Sequence, residues 1–439
     1  VKVLLVSPQG DGIGLALQMQ AEGHQVVMHF YDDNDAKQGK GMLWRSNSFM
    51  ADAHDADVVI YDNNGKGPSA DLLRSQGVKV WNGGVIADRL ESDRPFGMAV
   101  MRKAGIPIPE TWDFKNYAEA VEAINANFKA ADRPVVKLNN GAAPSTSYVG
   151  RDKADVLAQL EAWETEGQAD LGQGGIVQRF IEGIEFSVEG WFDGEKFRYP
   201  YNWTMEEKRL LNDNLGPNVG CSWNATANIR AKHPKIVRLL LEPLVPLLKK
   251  SGYTGQIDSN SIVDEDGNPY CLEFTPRPGY DATSTIVQTY EGGYGGAIAR
   301  SLGLSEGDTL TNGSPFSWDM TTAVRLWIPP YPFEPPTKPL GREVYACTEG
   351  VPVNGHLDIH DFVPYDVLRV ADSNDDIACA GTCGVIGIAL AHARDLNNAV
   401  NHGYSIAEKV EVPNVGYRTD GGERVRKQLP VIESFGLLR

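Results

Sequence analysis

The sequence holds 439 residues, 42% hydrophobic and 23% charged, the balance of a water-soluble globular chain with room for about three domains. Its formal charge of −17 disfavours tracking along a nucleic-acid backbone and obliges any phosphate site to gather its own Lys and Arg. No run of about 18 apolar residues marks a membrane span. The five scattered cysteines suit a reducing cytoplasm rather than a disulfide framework. Cys379 and Cys383, in C-A-G-T-C, lack a second pair or a nearby His and read as structural thiols.

The opening V-K-V-L-L-V-S is too short for a signal peptide and reads as a first strand. Gly10, Gly12 and Gly14 follow in a tight strand-to-helix turn. Its amides could meet a phosphate or carboxylate, and a purely structural turn fits equally well. Strands at His24–Phe30, Ala56–Tyr61 and Val78–Trp81 alternate with helical stretches, which predicts an open α/β domain with a mostly parallel sheet. A helix then starts at Arg94, carries Phe96, Val100 and Met101 on one stripe, and stops at Gly105 and Pro107. A cation in its first turn opposes the helix dipole, so Arg94 calls for an anionic partner, a phosphate or a surface carboxylate.

After a helix at Tyr117–Ala130, R-P-V-V-K is a strand ending at Lys137, before a small-residue loop, Asn139–Ser147, able to fold over phosphates. The helix Lys153–Glu166 leads to two strands joined through Glu182-Gly183. They are a plain structural pair or a nucleoside clamp, with the backbone of Arg179 and Ile181 at adenine and Glu185 at the ribose. Lys208 and Arg209 run into a glycine-proline loop too polar for a core element. A helix over His233–Lys250 is broken by Pro243 and Pro246.

Gln256–Val263 and Tyr270–Phe274 flank the turn residues 264–268 and predict a β-hairpin. A period of two puts Tyr270, Leu272 and Phe274 on one face and Cys271 with Glu273 on the other. Asp258 is expected beside Glu273. Two facing carboxylates call for a hard cation such as Mg²⁺, or else the hairpin is an ordinary solvated one. Further on come a proline-dense excursion from Ile328 to Pro339, strands at Val324–Ile328 and Gly384–Ala391, and a helix at Leu396–Val410. There is no internal repeat.

In order, L-E-S-D-R-P-F, R-P-V-V-K, I-V-Q-R-F-I-E-G-I-E-F-S-V, E-K-R-L-L-N-D-N-L-G-P-N-V-G, L-E-F-T-P-R-P-G and G-Y-R-T-D-G-G resemble the motifs of ATP-grasp ligases, those of the glycinamide ribonucleotide synthetase (phosphoribosylamine–glycine ligase) type above all. The resemblance implies a mixed α/β fold in four parts. These are a Rossmann-like domain over 1–107, an ATP-grasp lid over 108–185, a catalytic subdomain over 186–313 and a C-terminal α/β domain over 314–439. It implies an ATP-dependent carboxylate–amine ligase using ATP and Mg²⁺ (or Mn²⁺), with an acyl phosphate as intermediate. Arg94, Lys137, Gln178, Arg179, Phe180, Ile181, Glu185 and Lys208 then fall to ATP. Asp258 and Glu273 fall to the metal. Gly10, Asn218, Gly220 and Arg277 fall to the substrates, with Arg277 and Lys208 as the catalytic cations. The implied partners are a small amine and a small carboxylate, in a cytoplasmic monomer or homodimer, with purine synthesis as one setting.

Four departures touch the substrate side. Thr275 stands where the family has Asn, and 142–145 read Ala-Ala-Pro-Ser where the family has a Gly-Lys-Gly loop. Pro278 to Ala282 replace an Asp-Pro-Glu signature, and Tyr61-Asp62-Asn63 replace a Pro-Glu pair. They leave open a different amine and acid, or an inactive nucleotide-binding relative.

Overall fold

The unbroken apolar run at the amino end forms β1 (Lys2–Ser7), whose Val3 to Val6 are all buried in a computed structural model of the chain. The structure describes all residues except 9, 32–36, 140–146, 168, 312, 334–348, 356–357, 372 and 374–375. After the glycine turn come α1 (Ile13–Ala21), β2 (Gln25–Phe30), β3 (Trp44–Arg45), α2 (Phe49–Asp55), β4 (Val58–Tyr61), α3 (Gly67–Ser75) and β5 (Val80–Trp81). The five strands pair in parallel in the order β3-β2-β1-β4-β5. A parallel sheet covered on both faces needs strands apolar on both sides, which is why these segments show no alternation. Leu4, Val6, Val59 and Tyr61 pack with Leu73 on one face, and Val3, Leu5 and Ile60 with Ile13 and Met19 on the other.

Helices α4 (Val85–Ser92) and α5 (Arg94–Ala104) leave this domain. Asp93 caps α5 by accepting the Phe96 N–H at 3.1 Å, and Gly105, at φ +74°, ends it. A small lobe follows, with β6 (Thr111–Phe114), α6 (Tyr117–Asn127), β7 (Pro134–Leu138), β8 (Ser147–Val149), α7 (Lys153–Glu166) and β9 (Gly175–Arg179). Its four strands pair antiparallel in the order β6-β9-β7-β8 around Phe114, Ile124, Val136, Leu160 and Val177.

The rest is organised by an eight-stranded antiparallel sheet. In chain order its surroundings are β10 (Ile184–Phe192), β11 (Phe197–Leu211), β12 (Leu215–Asn228), α8 (Lys235–Leu240), α9 (Val245–Ser251), β13 (Gly255–Val263), β14 (Pro269–Thr275), α10 (Tyr280–Ile286), α11 (Gly293–Ser301) and β15 (Met320–Trp327). Then come β16 (Pro352–Val353), β17 (Phe362–Pro364), β18 (Val367–Arg369), β19 (Ile377–Cys379), β20 (Val385–Ala393), α12 (Leu396–Ala407) and α13 (Glu423–Ser434). The sheet order is β14-β13-β10-β11-β12-β15-β20-β17, so it runs on across residue 313 into the C-terminal segment.

One expectation is corrected here. The glycine-proline segment after Arg209 is not a loop but the start of β12, which pairs with β11 in a long ribbon turning at Asn212–Asn214. The two strands satisfy each other's backbone groups, so polar side chains on both outer faces carry no penalty. The prolines do break the helix before the hairpin, into α8 and α9 around a tight turn at Glu242–Leu244. Among the described residues no helix is long and apolar enough to cross a membrane. There, Cys221, Cys271, Cys379 and Cys383 are free thiols.

Candidate active site

Strand parity gives the large sheet one apolar and one polar face. On β10, Phe186 and Val188 enter the core while Glu185, Ser187 and Glu189 take the other face. On β11 that polar face carries Thr204, Glu206 and Lys208, and on β13 it carries Gln256, Asp258 and Asn260. The register sets Glu189 opposite Asp258 and Ser187 opposite Asn260. A small cleft opens between Glu185, Ser187, Thr204, Glu206, Lys208 and Asn260.

At β14 the predicted alternation fails. The β13–β14 register steps from Asn260–Glu273 to Ser261–Cys271, leaving Leu272 as the extra residue of a β-bulge. Cys271 and Phe274, three apart, both turn into the core, fully buried. Glu273 is thereby freed to face the cleft, and it does not share a face with Cys271 as expected. The pairing is corrected too: Asn260 lies opposite Glu273, while Asp258 lies opposite Thr275. Asn260 was not singled out in the sequence, although its spacing of two from Asp258 carried the signal.

Three cations converge on this wall from different elements. Arg94, in the first turn of α5, donates Nη1 to Glu273, and its backbone N–H donates to Asn139 Oδ1 at 3.0 Å. The anion partner that its position called for is thus a carboxylate of this chain. Lys137, buried on β7, lies with Nζ 3.4 Å from the carbonyl oxygen of the bulge residue Leu272. Lys208 Nζ lies 3.3 Å from Glu185.

The charges are unevenly balanced. Burial pulls the Lys137 ammonium down to about 8, against the pull of Glu273. Burial also pushes Glu273 up, but Arg94, Lys137 and Lys208 together outweigh it and hold the carboxyl well below its usual range. Glu185 raises Lys208 against the effect of burial. Asp258 is driven the other way, upward, by burial and by the nearby carboxylates of Glu189 and Glu206. Glu206 is raised too, chiefly by burial. A wall with underneutralised oxygen donors at Asp258 and Glu206, beside Asn260 and Glu273, suits a hard divalent cation. Among the described residues no preformed group of three or more His, Cys, Asp or Glu stands ready for a metal. An ion here needs oxygen ligands from a phosphate as well, the usual habit of Mg²⁺.

Several predicted residues lie elsewhere or are already engaged. Gln178 is buried, with Nε2 donating to Thr111 Oγ1 at 3.1 Å and to Met98 Sδ at 3.4 Å, so it ties the small lobe to α5. The Arg179 side chain turns out to Glu110, at 2.5 Å, and its backbone N–H donates to the Glu110 carbonyl. That N–H is therefore already engaged within the chain. Phe180 carries the Arg133 guanidinium 3.8 Å above its ring, and Ile181 is half-buried beside it. Arg277 donates Nε and Nη2 to Glu91 at 3.0 and 2.8 Å, two residues past the end of β14. Asn218 and Gly220 sit exposed near the ribbon tip, the Gly220 N–H donating to Asn218 Oδ1 at 3.0 Å. The Gly10 N–H donates to Ser7 Oγ at 3.0 Å. Residues 140–146 of the phosphate-loop expectation and 334–339 of the proline excursion lie outside the described residues.

The reverse face of the ribbon was missed. Glu207, between Glu206 and Lys208, points away from the cleft to Arg424 at 3.2 Å and Arg418 at 3.7 Å. Arg418 holds Asp420 through two 2.7 Å bonds, so the R-T-D of the C-terminal segment clamps the ribbon that carries Lys208.

Residues 92–283 match the family model for the ATP-grasp (A) domain of phosphoribosylglycinamide synthetase. A phosphoribosylamine–glycine ligase of Ralstonia nicotianae is 26% identical over 369 residues, covering 81% of this chain and 80% of that protein. One of Listeria monocytogenes is 25% identical over 361 residues, with the same coverage of 81% and 80%. Among solved structures, phosphoribosylamine–glycine ligase from Thermotoga maritima superposes with a TM-score of 0.71 at 16% identity, covering 96% of this chain and 100% of that one. Biotin carboxylase from Campylobacter jejuni does so at 0.62 and 14%, covering 99% and 94%. The expected mixed α/β, ATP-grasp fold is the one found.

Proposed function

Taking the chain as an ATP-grasp ligase similar to phosphoribosylamine–glycine ligases, we propose that it joins a small carboxylate to a small amine through an acyl phosphate. The observation that carries this reading is the convergence of Arg94, Lys137 and Lys208 with Asp258, Glu206 and Glu273 on one polar wall. A carboxylate is a poor electrophile, and phosphorylation gives it a leaving group. Its oxygen attacks the γ-phosphorus of ATP and the bond to ADP breaks. The amine nitrogen then attacks the carbonyl carbon, phosphate departs with the electron pair of the C–O bond, and the nitrogen sheds its proton.

The protein's share is positioning and charge stabilisation. Lys137, Lys208 and Arg94 offset charge on the transferring phosphoryl group, and Glu185, half-exposed at the cleft mouth, receives the ribose. Asp258, Asn260 and Glu273 are the residues to hold Mg²⁺ or Mn²⁺, which neutralises phosphate charge when bound. Arg277, held by Glu91 two residues past the end of β14, is assigned as the catalytic cation for the meeting of activated acid and amine. The Gly10 turn, with Asn218 and Gly220 near the ribbon tip, is assigned to the substrates. The parts are assigned as 1–107 for substrate, 108–185 for the lid, 186–313 for catalysis and 314–439 for the C-terminal domain.

Two substrate readings remain, glycine with phosphoribosylamine or another acid–amine pair. The loss of the family's acidic signatures, at Pro278 to Ala282 and at Tyr61-Asp62-Asn63, favours the second. ADP release, measured with glycine and freshly generated phosphoribosylamine and with a panel of other pairs, is expected to be weak for the first and greater for another. An efficiency above about 10⁴ M⁻¹s⁻¹ with the first pair assigns the original reaction instead.

A further inference from the structure

The parallel sheet reverses its strand order between β1 and β4. In open α/β sheets, ligands bind beyond the carboxyl ends of the strands at such a reversal. Here those ends are followed by Asp11 and by Asp62-Asn63. Asp62 is fully buried, and neither of its carboxylate oxygens accepts a well-formed hydrogen bond, although the Ser7 hydroxyl and the Gly12 N–H lie near. The Ser7 oxygen is already an acceptor, from the Gly10 N–H. Asp11 Oδ2 accepts from the Tyr280 hydroxyl at 3.3 Å and from Asn63 Nδ2 at 3.4 Å. The same hydroxyl lies 3.2 Å from the carbonyl oxygen of Asp62, so Tyr280 bridges the two strand ends.

The groups around this crevice are poorly suited to an anion. The amino end of α1, where a phosphate would be welcome, faces Asp62: a Cβ on Gly12 would come within 2.5 Å of its Oδ2. The two cations that Asp11 feels are both engaged, Arg277 with Glu91 and Arg325 with Asp281 through bonds of 3.0 and 2.8 Å. Burial lifts the Asp11 carboxyl, and burial with the Asp11 charge lifts Asp62 further. A positive charge between them removes that conflict.

We propose that the crevice lined by Asp11, Asp62 and Tyr280 binds the amine substrate as a cation, through a primary ammonium, and rejects phosphorylated amines. The proposal rests on the ligase reading and narrows its substrate class. An ammonium offers three donors to the two carboxylates and the phenol oxygen. Arg277, its guanidinium 5.8 Å from the Tyr280 ring, adjoins this crevice and follows by two residues the end of β14, the strand that carries Glu273.

Titration calorimetry on the full chain tests this, with and without Mg²⁺ and a non-hydrolysable ATP analogue. The probes are 1,3-diaminopropane as the cation and ribose 5-phosphate as the anion. The diamine is expected to bind, Asp11→Asn and Asp62→Asn each to weaken it at least tenfold without changing nucleotide affinity, and ribose 5-phosphate to give no binding. Binding of ribose 5-phosphate by the wild type, absence of diamine binding, or a diamine affinity within twofold of wild type in Asp11→Asn overturns the proposal. Should Asp62→Asn lose its fold by circular dichroism, the half-buried Asp11 decides alone. Failure of the wild type to bind the nucleotide analogue overturns the ligase reading instead, and the titration without nucleotide still reads the amine site.

Discussion

The polar wall and the switch-point crevice both bury carboxylates, and they treat them in opposite ways. On the wall, Glu273 is surrounded by Arg94, Lys137 and Lys208 and is held ionised far into the acid range. In the crevice, Asp62 has a second carboxylate for a neighbour and is pushed toward its neutral form. The difference lies less in how deep each acid sits than in where the arginines went. Arg94 reaches into the wall, while Arg277 and Arg325, close to the crevice, are each bound by another acid. A site that keeps its cations is prepared for an anionic ligand; one whose cations are engaged elsewhere waits for a positive one.

The largest effect should come from Glu273→Gln, which takes a negative charge from beside Arg94 and Lys137 and removes a proposed metal ligand. ADP release is expected to fall at least about a hundredfold, the scale of losing one well-placed electrostatic group. A variant that keeps its fold by circular dichroism and turns over normally would end the wall's distinction from an ordinary polar surface.

The two regions should next differ in the sign of their pH dependence. Glu273, depressed in the folded state, contributes stability that is present above its unfolded value of 4.5 and is lost as pH falls through its folded value. Asp62, raised, binds its proton more tightly folded than unfolded, so it opposes folding as pH climbs above 3.8. Within that window the slope is about 1.4 kcal/mol per pH unit for one group. Urea denaturation from pH 2 to 8 is expected to show Asp62→Asn gaining stability over the wild type as pH rises above 3.8, and Glu273→Gln falling behind the wild type as pH rises to 4.5 and staying level above it. Equal slopes for both variants would erase the contrast.

Lys137 offers a finer test. With its ammonium at about 8, nucleotide affinity should decline as pH rises past that value, by up to about tenfold per unit. Lys137→Arg, charged throughout, should flatten the curve. The smallest effect is expected from Glu185→Gln. Both partners of the Lys208–Glu185 pair are well exposed, 34% and 49%, so loss of the pair should cost ATP affinity only about 1 kcal/mol, readable by calorimetry.

The sequence disclosed what depends on local pattern. The parallel strands, the stop of α5 at Gly105 and the hairpin turn at 264–268 each follow from a residue or two with a fixed conformational preference. What it concealed depends on register or on distant partners. The bulge at Leu272 is invisible to a period of two, because one inserted residue shifts the phase without changing composition. Arg94 advertised its need for an anion, but Glu273 lies 179 positions away and only the fold joins them. The ribbon was mistaken for a loop because its glycine and proline obey turn statistics while its backbone obeys its partner strand. Gln178 and Arg179 were assigned by resemblance to a motif, and their actual bonds, to Thr111 and Glu110, arise from how the small lobe packs.

The passage of the large sheet across residue 313 has a practical side. Strand β12 pairs with β11 on one flank and with β15, from the C-terminal segment, on the other. A fragment ended at the 313 boundary would strip that second flank and bare a row of unsatisfied amide and carbonyl groups. Such a rim recruits other chains into fibrous or amorphous aggregates, so recombinant pieces of this protein should be cut elsewhere or not at all.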